Sequence, residues 1–86
     1  MEWQVLWTEE AGRTLLDVLR NSRFANVIEA DVRRYNAQIG KAPLSLGESR
    51  EANRRVFVAL PYVFSFIIHP EERRVVVVEF RYVVRP

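Results

Sequence analysis

The spacing of apolar residues changes once along this chain, and that change constrains the fold more than any single residue. From Ala11 to Gly40 apolar side chains recur every three or four positions, the mark of amphipathic helices. Then comes "GKAPLSLGES", with two glycines, a proline and no period, which reads as a loop. Beyond it the segments "RRVFVAL", "YVFSFII" and "RRVVVVEFRYVV" are β-branched and aromatic, as strands are. With the short strand-like "WQVLW" near the amino terminus, the order is strand, helix, helix, strand, strand, strand. It implies an α+β fold with an antiparallel helical hairpin on one face of a mostly antiparallel sheet, ending in a three-stranded meander.

Local signals place the helices. Thr8, followed by Glu9 and Glu10, is an N-cap with acids in the first turn. Ala11, Leu15, Val18 and Leu19 form one stripe, widened by Leu16, and Asn21–Ser22 supply a break. Phe24, Val27, Ile28, Val32, Tyr35 and Ile39 continue the period up to Gly40, the expected C′ residue of the second helix. Glu29, Asp31, Arg33 and Arg34 lie between these positions and read as its solvated face.

Alternation assigns faces to the strands. Val76, Val78, Phe80 and Tyr82, matched by Tyr62, Phe64, Phe66 and Ile68, are expected under the helices. Val75, Val77, Glu79 and Arg81, with Val63, Ser65 and Ile67, are expected on the open face. Pro61 separates the first two strands of the meander, and His69–Pro70 opens the next turn, where His69 reads as a turn residue. Arg54 and Arg55 must point to opposite faces, and a one-residue slip at Pro61 exchanges them.

Composition narrows the function. There is no cysteine and one histidine among 86 residues, so a disulfide framework and a thiolate metal site are excluded; no metal or cofactor is expected. The start "MEWQVLWTEE" lacks the pattern of a signal peptide and no apolar run is long enough to cross a bilayer, so a single cytoplasmic domain over residues 1–86 is expected. The net charge of +2 hides an asymmetry, for Lys41 is the one lysine among thirteen cations. A G+C-rich genome explains that bias as readily as bidentate recognition of phosphate or carboxylate does.

"PLSLGESR", the arginine pair entering a strand and the closing "HPEERRVVVVEF" hairpin, in this order of elements, resemble the RelE/ParE superfamily of bacterial type II toxin–antitoxin toxins. The resemblance implies a cognate antitoxin as partner and a toxin–antitoxin hetero-oligomer or a homodimer as assembly. It implies one of two activities: ribosome-dependent mRNA cleavage, as in RelE-like members, or non-enzymatic inhibition of DNA gyrase, as in ParE-like ones. A degenerate relative kept as a protein-interaction module is the third reading. On the RNA reading, the expectation favoured here, Arg54 and Arg85 fall where RelE-like toxins carry basic residues and are taken as catalytic, with Tyr82 and Glu79 the nearby candidates for proton transfer and Tyr82 the one assigned. Lys41, Arg50, Arg55 and Arg81 are then the candidate RNA- or anion-binding cations. The pattern is incomplete: the arginine of the next strand falls near Val63, and the sequence stops at Pro86, short of that subgroup's carboxy-terminal tyrosine.

Overall fold

In the computed structural model, which describes residues 2–84, a strand β1 (Gln4–Trp7) leads into helices α1 (Glu9–Arg20) and α2 (Ala25–Lys41). Thr8 makes that change of structure: its hydroxyl accepts the Ala11 amide at 3.1 Å, and Glu9 and Glu10 add negative charge where helix amides lack partners. At the far end both the Asn21 amide and its side chain donate to the Asp17 carbonyl. Ser22 Oγ then accepts the Phe24 amide at 3.0 Å, and the chain turns into α2.

α2 runs through Gly40, where the sequence predicts its end. The glycine serves close approach instead. A Cβ there would lie 3.3 Å from Val5 Cγ2 and 3.4 Å from the Trp3 carbonyl oxygen, and the Trp3 amide donates to the Gly40 carbonyl at 2.8 Å. The start of β1 is thereby fastened to the end of α2.

After a 3₁₀ turn at Pro43–Ser45 come β2 (Glu48–Glu51), β3 (Arg54–Ala59), β4 (Tyr62–His69) and, past a second 3₁₀ turn at Pro70–Glu72, β5 (Arg74–Tyr82). They form one five-stranded sheet in the order β1-β5-β4-β3-β2, with β1 parallel to β5 and the other pairs antiparallel. The loop "GKAPLSLGES" thus runs into a further strand, which the meander expected from sequence lacks. β2 shows no apolar alternation because it is an edge with all four residues exposed. Its charges guard that edge against pairing with another chain.

The core lies between the helices and one sheet face. Tyr62, Phe64, Phe66 and Ile68 are buried there as the alternation predicts. β5 departs from the prediction: Val75 and Val77 are fully buried, while Val76 and Val78 are only half-buried. The register gives the cause. Ser65 pairs with Glu79 and the next residue, Phe66, with Val77, which leaves Val78 as an extra residue in a β-bulge. Before the bulge Val75 and Val77 face the helices; after it Phe80 and Tyr82 do, so the expectation holds only for the second half of the strand. Phe64 is the centre of the core, with ring centroids at 5.4 Å to Phe80, 6.0 Å to Phe57 and Tyr35, and 6.3 Å to Trp7. Truncating it to alanine should cost about 3–5 kcal/mol.

Two polar bonds tie α2 to the sheet. Trp7 Nε1 donates to Asn36 Oδ1 at 2.8 Å, and the Tyr62 hydroxyl donates to Asp31 Oδ2 at 2.6 Å. Asp31, expected on the solvated face, is turned toward the sheet and also accepts from Arg34 at 3.2 Å. Burial, and after it the bond to Asp31, holds the Tyr62 phenol well above its ordinary range. Tyr62→Phe should therefore destabilise the fold by about 1–2 kcal/mol near neutral pH. Because the folded phenol keeps its proton longer than the unfolded one, its contribution is complete below about pH 10 and declines above it. Urea unfolding of both proteins should show their stability gap narrowing between pH 7 and pH 11.

Candidate interaction face of the sheet

The face turned away from the helices is defined by the strand register, since directly paired residues share a face. One row runs Leu6, Val76, Ile67, Arg54; the next Glu79, Ser65, Val56, Glu48; the third Arg81, Val63, Val58. Both residues of the bulge, Val78 and Glu79, lie on this side, because Val77 before them and Phe80 after them point into the core. Most of the face is apolar. Leu6 is 41% exposed and Val58 56%, with Val56, Val63, Ile67, Val76 and Val78 half-buried between them. Ser65 Oγ donates to Glu79 Oε1 at 3.4 Å, so this carboxylate at the centre of the face is partly occupied.

The candidate cations are dispersed. Arg54 pairs with Ile67 and belongs to the open face, whereas Arg55 pairs with Phe66 and points to the helix side. There Arg55 Nε donates to the Leu46 carbonyl at 2.8 Å and Nη2 to the Gly47 carbonyl at 3.3 Å. Its guanidinium fastens the loop that enters β2. Gly47 has φ +69°, and a Cβ on it would overlap the Val56 carbonyl, so the fastened turn needs glycine. Arg50 lies at the irregularity of β2 and forms an exposed ion pair with Glu48 at 3.4 Å. Lys41 is the exposed last residue of α2, away from the open face.

Arg81 is exposed opposite Val63. From strand spacing and rise, the Cα atoms of Arg54 and Arg81 stand roughly 16 Å apart, at opposite corners of the face. Tyr82 pairs with Tyr62 on the helix side, its ring 5.8 Å away, so it does not stand beside Arg81 on the open face. Arg85 lies outside the described residues. His69 pairs with Arg74 and shares the face of Ile67, which puts its Cα roughly 8 Å from that of Arg54. Arg74 is engaged by Glu72 at 2.8 Å.

Leu6, Val58, Val76 and Val78 belong to this face and were not among the residues singled out for it from sequence. A signal for them was present: a strand apolar on both sides, as "VVVV" is, has something to cover on both.

No protein-family model matches the sequence, and no curated protein matches it. Among solved structures the chain is similar to one in the toxin–antitoxin complex RelBE2 from Mycobacterium tuberculosis, with TM-score 0.77 and 21% identity over 95% of this chain and 99% of that one. It is also similar to a chain of the chromosomal ParDE TA system from P. aeruginosa, with TM-score 0.66 and 14% identity over 95% of this chain and 97% of that one. The chain has the RelE/ParE toxin fold. In this version of the RelE/ParE fold the helix-free face is mainly aliphatic, with arginines at its corners.

The two neighbouring arginines should separate in a stability measurement. Arg55→Ala leaves two loop carbonyls without their donor and should cost about 1–2 kcal/mol. Arg54→Ala removes no ion pair seen among the described residues and should stay within about 0.5 kcal/mol of the parent. Thermal unfolding of the two variants checks the difference.

Proposed function

We propose that this chain is the toxin of a toxin–antitoxin pair, and that it acts without chemistry, as a ParE-like inhibitor does, by holding a protein target on the open face of its sheet. The observation that supports this most directly is the make-up of that face: two aliphatic stretches, Leu6 with Val76 and Ile67, and Val63 with Val58, on either side of a row that holds Val56, Ser65 and Glu79, with Arg54 and Arg81 at opposite corners. Such a mix of exposed aliphatic side chains with a few charges fits a protein–protein contact, with Glu79 left to be met by a donor of the partner. RNA cleavage needs charge stabilisation and proton transfer gathered around one phosphate, and arginine supplies only the first. The antitoxin, on this reading, covers the same face and masks it.

One observation favours RNA cleavage as a second reading. His69 stands near Arg54 on the open side, and imidazole is the proton carrier that the arginines lack. Inducing the chain alone in a bacterial host separates the two. Growth arrest without new transcript ends is expected, and a charge placed in the apolar rows, Ile67→Glu or Val76→Glu, should relieve the arrest while His69→Gln leaves it unchanged. Transcript ends that appear on induction and vanish in His69→Gln would transfer the assignment to RNA cleavage. No arrest at all in the parent would remove the toxin reading.

A further inference from the structure

A second surface lies at one end of the molecule, where the tip of the helix pair meets the end of β5. A cavity of about 520 Å³ opens there, lined by Val18, Phe24, Tyr82 and Val84 with Asp17, Asn21, Ser22 and Arg23 around them. An adjoining depression formed by Leu60, Pro61 and Val83 shares Tyr82 and Val84 with it. Several of these apolar residues are well exposed: Phe24 at 59%, Leu60 at 63% and Val84 at 71%. Single exposed apolar residues are ordinary, but a contiguous patch of this kind marks an interaction surface.

The charges beside the cavity indicate its occupant. Asp17 and Arg23 line the same opening, both are exposed, and neither forms an ion pair with another described residue. Among the described residues of the lining, one acid and one base flank an apolar floor, which makes a self-complementary surface. In a two-fold contact, residue i of one copy meets j of the other and j meets i, so both carboxylates and both guanidinium groups find partners at once. A uniformly acidic peptide would leave Asp17 opposed by like charge.

We propose that this end is the contact of a homodimer, with the Phe24 and Val84 patches packed together and Asp17 of each copy paired with Arg23 of its partner. The surface differs from the open sheet face, so the proposal goes beyond the toxin reading and does not depend on it. A contact confined to this end of the molecule is expected at the weak end of specific interfaces, with a Kd on the order of 10 μM.

Sedimentation velocity of the purified chain from low to high micromolar concentration tests this. The parent should pass from monomer to dimer over that range. Asp17→Arg and Arg23→Asp, each at an exposed position and each checked for parent-like circular dichroism, should weaken self-association at least about tenfold by setting like charges against each other. An equimolar mixture of the two variants should dimerise again, because each contact then joins an arginine to an aspartate. Val84→Ser should weaken the dimer without touching the charges. A parent that stays monomeric throughout overturns the proposal and gives the patch to a different protein; single swaps that dimerise like the parent, or a mixture that fails to recover, overturn the pairing on which it rests.

Discussion

β5 has to satisfy two different parts of one core. Its first half packs Val75 and Val77 beside β1, and its second half delivers Phe80 to the aromatic cluster around Phe64 and Tyr82 to the stack on Tyr62. Strict alternation cannot do both, because Val77 and Phe80 differ in parity. The extra residue at Val78 changes the parity inside the strand. It also sets the composition of the far side, where Val78 and Glu79 are both turned outward and Glu79 lies across from Ser65. The open face is therefore partly a consequence of what the core requires.

The same bulge marks the limit of what the sequence discloses. The helices are legible because Thr8, Glu9 and Glu10 announce a start and the apolar period persists to Ile39. β4 is legible because aromatic residues alternate with smaller ones. Four consecutive valines in β5 carry no alternation, so its parity could be taken only from Phe80 and Tyr82, and extrapolation back across the bulge inverted it. β2 is hidden for the opposite reason, as an exposed edge strand has no buried side to leave an apolar signature. Asp31 reads as a surface acid because nothing local to α2 reveals a tyrosine arriving from a strand 31 residues later.

At the interaction face the sequence yields candidates without an arrangement. Arg50, Arg54 and Arg55 are close neighbours along the chain, but an edge irregularity and strand alternation send them three ways: to Glu48, to the open face and to the Leu46 and Gly47 carbonyls. Only pairing with Ile67 and Phe66 distinguishes Arg54 from Arg55, and that register follows from the β3–β4 turn. Several other arginines are held by exposed ion pairs on α1 and α2, Arg13 with Glu9 and Arg33 with Glu29. Such pairs add little stability, yet they dilute the cationic field that arginine content alone suggests.

On the proposed reading, binding energy on the open face comes from its aliphatic side chains, and the corner arginines together with Glu79 orient the partner. Corner arginines would then contribute mainly to encounter and to rejection of wrong partners, an effect that weakens with salt. The aliphatic residues of the face centre on β4 and β5, the strands that also carry most of the core, so they are held in place before any partner arrives and little ordering entropy would be lost in a contact. A domain of 86 residues has a modest margin of stability. A partner that recognises Leu6, Ile67 and Val76 only when the sheet is assembled binds the folded state alone, and so raises that margin by mass action. The face that would act on a target is thus also the face through which a partner would protect the fold.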